Sequence, residues 1–177
     1  MLAKNRTKEG DNIMVTNFEY AIKNLLADEG GYVNDPADPG GETKFGISKR
    51  AYPNEDIKNL TEVRAREIYR RDYWNKLNGD AILSPEKASA VLSACVNFGV
   101  ANGVKLAQKA AGVPRDGEMG GQSVRRVNDM DLDTFLARFA IAMIERYTRI
   151  CRGNPSQIKY FLGWVNRALR VSGMVAQ

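Results

Sequence analysis

Three features of the sequence predict a mainly α fold with one small β-hairpin. Apolar residues recur at helical spacing along most of the chain. One stretch rich in glycine, proline, asparagine and aspartate, residues 30–48, interrupts them. Strands alternating with helices, the pattern that builds a parallel sheet, do not occur. About seven helices are expected.

Thr16-Asn17-Phe18-Glu19 has the form of a capping box, and Phe18, Ile22, Leu25 and Leu26 follow at helical spacing. A first helix therefore ends near Glu29-Gly30-Gly31. Tyr32-Val33 and Thr43 to Ile47 are short extended candidates on either side of turn residues, which suggests an irregular hairpin. After Thr61 the helical pattern returns through Val63, Ile68, Tyr69 and Asp72 and runs into the pair Tyr73-Trp74. Ser84-Pro85-Glu86 offers an N-cap followed by proline at the first helical position. The stripe Ala88, Val91, Leu92, Cys95 and Val96 then marks the helix expected to be most buried.

A short helix lies within residues 99–112, and a glycine-rich turn region, 113–121, leads into a helical piece at 123–127. Leu132, Phe135, Leu136, Phe139, Met143, Tyr147 and Ile150 form a long amphipathic helix. Asn154-Pro155 opens the last helix, with Phe161, Trp164, Val165, Ala168 and Leu169 on its inner face. Residues 1–13 carry Lys4, Arg6 and Lys8 without an apolar segment and read as a disordered leader. Gly99 is the expected seam between a lobe of residues 14–98 and a helical lobe of 99–177 packed on it.

Composition narrows the chemistry. With 177 residues, 44% hydrophobic and 27% charged, the chain can bury a core and resembles folded, water-soluble proteins. Its longest uninterrupted apolar run, Phe139 to Ile144, is six residues, against the roughly 20 of a membrane-spanning helix, so no stable membrane insertion is expected. Histidine is absent, which excludes Ser-His-Asp and Cys-His catalysis and every zinc site that contains histidine. Cys95 and Cys151 sit in apolar helical patterns and read as two free, buried thiols. Acid–base chemistry must rest mainly on carboxylates.

A formal charge of +5 and a pI near 9.2 favour a polyanionic partner, either nucleic acid or anionic cell wall. Arg64, Arg66, Arg70 and Arg71 form a basic cluster that suits phosphates or, more simply, a solvated helix face. Gly41 to Ser48 has the glycine spacing of a phosphate loop, but Ile47 stands where its lysine belongs. Asp129, Asp131 and Asp133 imitate the start of a calcium loop, yet Thr134 and Ala140 replace its glycine and its bidentate glutamate. Acidic residues at a helix N-terminus account for them. No metal or organic cofactor is expected.

The segment from Glu29 to Ser48 concentrates the features of a site. Glu29 falls at the predicted C-terminal end of a helix, where the macrodipole disfavours a negative charge, and Tyr32 or Phe45 can partly desolvate it. Both effects favour the protonated form, which a glycosidase acid needs in order to give its proton to the leaving oxygen. Taken alone, Glu29 reads first as a solvated carboxylate beside a capping Gly30.

The wider pattern changes that balance. Glu29-Gly30-Gly31-Tyr32, Asp38-Pro39-Gly40-Gly41-Glu42-Thr43 and Phe45-Gly46-Ile47 resemble, in order, the active-site stretch of the glycoside hydrolase family 108 muramidases. The resemblance implies a lysozyme-like fold, Glu29 as catalytic acid, and Asp38 and Thr43 near the aspartate and threonine of phage-type lysozymes. Eight residues separate Glu29 from Asp38, as in those enzymes, but four rather than five separate Asp38 from Thr43. Asp38 is open to three roles: a base that activates water, an electrostatic stabiliser, or a turn residue. Thr43 is open to hairpin stabilisation.

The same resemblance implies substrate contacts from Tyr32, Gly41, the pair Tyr73-Trp74, and Asn97 of Asn97-Phe98-Gly99, although for Trp74 burial in the core is the favoured expectation, since large aromatics at helix ends usually pack. The second half, with Gln108, Gly112, Asp116-Gly117, Gly120 and Gly163-Trp164-x-x-Arg167, is similar to a peptidoglycan-binding region. It departs from that pattern at Ala107 and at Gly120-Gly121-Gln122-Ser123.

The function implied is that of a monomeric phage endolysin. It would cleave the β-1,4 bond between N-acetylmuramic acid and N-acetylglucosamine in a cleft between hairpin and helical lobe. It would accumulate in the host cytoplasm and reach the wall once a holin opens the membrane, with no nucleic-acid partner. A lytic transglycosylase, a basic helical nucleic-acid binder and an inactive wall-binding protein are the alternatives.

Overall fold

A computed structural model describes residues 15–27, 31–34 and 41–174. Helix α1, Asn17–Ala27, is followed by the strands β1, Thr43–Lys44, and β2, Ile47–Ser48. Then come α2, Glu62–Tyr69, a wider π turn at Arg70–Trp74 and a 3-10 turn at Gly79–Ala81. The remainder is α3, Pro85–Phe98; α4, Val100–Ala111; α5, Gly121–Asp129; α6, Leu132–Gly153; and α7, Phe161–Val171. The described residues thus form the mainly helical fold with seven α-helices and one hairpin that the sequence predicts.

Local chemistry sets most helix starts. The Thr16 hydroxyl accepts from the Glu19 amide at 3.2 Å, which satisfies one orphan donor of α1. The Glu19 carboxylate is engaged elsewhere, pairing with Arg66 of α2. Thr61 caps α2 through the Arg64 amide, and Ser84 caps α3 through the Lys87 amide, each at 3.2 Å. Asp131 caps α6 by accepting from the Thr134 amide at 2.9 Å and Asp133 lies in that helix's first turn, whereas Asp129 ends α5 and is not at a helix N-terminus as expected. The last helix differs from expectation, because Asn154-Pro155 opens a 3-10 turn, Pro155–Tyr160, before α7 begins. The Asn154 side chain accepts from the Ser156 amide at 3.2 Å, which tightens that turn.

Helix α3 is the axis of the fold and packs against α1, α4, α6, α7 and the π turn. Its Ala88, Ala90, Val91, Leu92, Ala94 and Cys95 are all buried. One apolar core runs from Phe18, Ile22 and Trp74 through Leu92 and Val104 to Phe135, Phe139 and Tyr147. It is continuous across Gly99, where a φ of +82° turns the chain from α3 directly into α4. Four residues later Gly103 meets α3 so closely that a methyl group there would lie 2.5 Å from the Cys95 amide nitrogen. Both cysteines are free, but only Cys95 is buried; Cys151 is half-buried, which corrects the expectation of two buried thiols. Burial pushes the Cys95 thiol up to about 12. No helix among the described residues is long and apolar enough to cross a membrane.

Candidate active site

The hairpin is built on a tight turn. Thr43 faces Ser48 and Lys44 faces Ile47 in antiparallel register. Phe45 and Gly46, the two residues between, have φ of +52° and +73°, the left-handed pair that a two-residue hairpin requires. Glycine adopts that conformation freely, whereas an aromatic residue does so at some cost. The cost at Phe45 is offset by a bond from the Tyr69 hydroxyl of α2 to the Phe45 carbonyl, 2.8 Å, and by the burial of Ile47 in the core. The predicted extended run from Thr43 to Ile47 therefore folds back on itself.

Tyr32 and Val33 supply a third edge. Val33 and Thr43 exchange two backbone bonds, each 2.8 Å, and the Tyr32 hydroxyl donates to the Glu42 carboxylate at 2.8 Å. Segments 31–34 and 41–44 are thus tied together, with Asp38 between them in the sequence. Tyr32 remains 39% exposed, enough for its ring to meet a ligand. Hydrogen bonding to Glu42 raises the pKa of its hydroxyl above the ordinary tyrosine value. Gly41 sits at φ +69° at the foot of β1. Thr43 is committed to the hairpin through its backbone, and its hydroxyl lies 3.4 Å from the Gly41 carbonyl. Glu29 and Asp38, the two carboxylates singled out in the sequence, lie outside the described residues.

Tyr73 and Trp74 have separate fates. Trp74 is 0% exposed, its ring edge-on to Phe18 at 5.4 Å and its indole N–H bonded to Asp80 at 2.8 Å. Gly79 lies close against the same ring. The expectation that Trp74 contacts a sugar is corrected: α1 and the 3-10 turn enclose it completely. Tyr73 is half-buried beside Tyr69, with ring centroids 5.5 Å apart.

Near Tyr73 stands a polar cluster that periodicity alone did not reveal. The Tyr52 hydroxyl donates to Asp72 at 3.0 Å, and Arg71 holds the same carboxylate with two bonds of 2.8 and 2.6 Å. The bonds from Arg71, with help from Tyr52, keep the Asp72 carboxyl below its usual range. Burial pushes the Tyr52 hydroxyl well above its own.

Asn97 is exposed at the end of α3, as a ligand contact requires, but its amide is occupied. It donates to the Ser93 carbonyl at 2.8 Å and accepts from Arg167 of α7. The motif residue Arg167 thereby joins the two halves of the chain. Near them a cavity of about 140 Å³ opens between α1, α3 and α7, lined by Tyr20, Asn24, Ser89, Ser93 and Arg170 among others.

The basic cluster is neutralised within the protein. Arg64 pairs with Glu55 and Glu67, Arg66 with Glu19 and Glu62, Arg70 with Asp80, and Arg71 with Asp72. No group of three or more metal-ligating side chains occurs among the described residues.

The described residues thus form a small hairpin beside a helical core, with Tyr32 exposed and the Glu42 carboxylate half-buried against it. Residues 22–99 match the family model described as glycosyl hydrolase 108, and residues 102–169 match one described as a predicted peptidoglycan domain. Among solved structures, Brucella abortus SagA is similar at 33% identity and a TM-score of 0.73, over 88% of this chain and 91% of that one. A search of curated proteins found no match. The chain belongs to the glycosyl hydrolase 108 family: it is a glycoside hydrolase of the muramidase type with a peptidoglycan-binding region.

Proposed function

We propose that the protein is an endolysin that hydrolyses the β-1,4 bond between N-acetylmuramic acid and N-acetylglucosamine. Glu29 protonates the glycosidic oxygen, and Asp38 serves as the second carboxylate, either directing water or stabilising the oxocarbenium-like state. The observation that carries this reading is the ordered run from Glu29 to Ile47, which falls wholly inside the family match. The chain has no histidine, so proton transfer falls to carboxylates, and Glu29 is the one that stands at the head of that run.

The described part of the run supports the assignment in geometry. Tyr32, Gly41 and Thr43 to Ile47 form a pinned hairpin whose exposed Tyr32 suits a sugar ring. The enzyme acts from the host cytoplasm on the wall after a holin opens the membrane, and its purpose is host lysis. The test is digestion of purified peptidoglycan by wild type, Glu29→Gln and Asp38→Asn, with the muropeptides identified by mass spectrometry. Reducing ends from wild type and none from Glu29→Gln are expected. Anhydro-sugar ends would assign a transglycosylase instead, and equal activity in wild type and Glu29→Gln would overturn the proposal.

A further inference from the structure

A hollow of about 330 Å³, none of whose lining residues belongs to the hairpin, lies between α4, α6 and the α4–α5 loop. Five of its lining residues are cationic: Lys105 and Lys109 of α4, Arg115 of the loop, and Arg146 and Arg149 of α6. No carboxylate lines it. Lys109 pairs with Glu145, and Arg149 donates weakly to the Glu145 carbonyl at 3.4 Å. Lys105, Arg115 and Arg146 form no ion pair with any described residue.

Arg146 is the informative member. Its guanidinium stacks over Phe98 at 5.0 Å, and its Nε is buried without a hydrogen-bond partner. A buried donor with nothing to bond is costly, and a charged one more so. Desolvation and the neighbouring Arg149 disfavour the charged form of Arg146. An anion in the hollow offsets the mutual repulsion of Arg146 and Arg149.

We propose that this basic hollow is an anion site that takes a phosphate ester. A carboxylate brings one charge on two oxygens, whereas phosphodiesters repeated along a polymer or across a headgroup surface bring one charge each, with further acceptor oxygens, to converging guanidinium and ammonium donors. Every lining residue lies within the matched peptidoglycan region, so that region holds a second kind of ligand site, separate from the hairpin. The phosphate can be carried by a soluble polyol-phosphate chain or by a lipid headgroup, and the chemistry of the hollow is the same for both.

The test uses the full chain at low salt. Inorganic pyrophosphate and a glycerol-phosphate oligomer are titrated calorimetrically, and vesicles of phosphatidylglycerol are compared with vesicles of phosphatidylcholine by sedimentation. Lys105→Gln/Arg115→Gln removes two exposed cations of the hollow and spares the core. Arg125→Gln/Arg126→Gln removes two exposed cations on α5, outside the hollow. The first variant should lose about tenfold or more in affinity and the second should stay close to wild type. Binding of the glycerol-phosphate oligomer assigns the polyol-phosphate source, binding of anionic vesicles alone assigns the headgroup, and binding of pyrophosphate alone would overturn the assignment to an ester. No binding by wild type, or equal loss in both variants, would overturn the site.

Discussion

Replacing Gly103 with alanine should separate α3 from α4. The added methyl would lie 2.5 Å from the Cys95 amide nitrogen and 2.6 Å from both its Cα and its Sγ. Ordinary contact between such atoms is about 3.5–4.0 Å, so the helices must part by roughly 1 Å. Two of the three clashing atoms are backbone, and no rotamer change can move them away. Overpacking of this kind costs about 1–3 kcal/mol or more, and the better helix propensity of alanine offsets up to about 1 kcal/mol. We expect a net loss near 2 kcal/mol, a fall in melting temperature of about 4–8 °C for a chain of this length. Gly153→Ala is the control, because nothing lies within 4 Å of its added methyl. Both are read by circular-dichroism melts and urea titration. A Gly103→Ala protein as stable as wild type, or a Gly153→Ala protein equally damaged, would refute the close-contact account.

Two further predictions rest on polar groups. Lys87 is 3% exposed and donates to the Val127 carbonyl at 2.8 Å and to the Met130 carbonyl at 2.5 Å, closing the C-terminal end of α5. Lys87→Met fills the space but leaves both carbonyls unpaired, so it should cost about 2–3 kcal/mol and speed amide exchange at the end of α5. Unchanged protection there would count against the capping role. Asp72 has a folded-state pKa below its unfolded value, so its contribution to stability is present above the unfolded value and is lost as pH falls through the folded one. Asp72→Asn should therefore flatten the acid limb of the stability profile below about pH 4, and an unaltered limb would contradict this.

How much of the fold was legible depends on how local its cause is. Thr16, Thr61, Ser84 and Asp131 announce their helices because a cap bonds an amide three residues away. The buried stripe of α3 was equally readable from its period. The burial of Trp74 was readable as the habit of a large aromatic at a helix end, but its partner Phe18, from another helix, was not. The pairing of the arginine cluster depends in part on Glu19, a carboxylate 47 residues away in sequence. The hairpin turn was hidden for a different reason: Phe45 occupies a left-handed position that residue type argues against, and a hydroxyl from α2 holds it there. Glu29 and Asp38 were found from the order of their motif, and their roles continue to rest on that order.

The one-residue joint at Gly99 has a consequence for how such an enzyme can evolve. Domains joined by an exposed, flexible linker with few contacts across it can in principle fold alone and so be exchanged as parts. Here the glycan-cutting region and the wall-binding region share a core, with α4 lying against Cys95 of α3. A cut at Gly99 would bare that interface on both fragments. Exchange of either region alone therefore requires its new partner to cover the same buried face of α3 or α4, so engineered changes of wall preference are more simply made by surface substitutions.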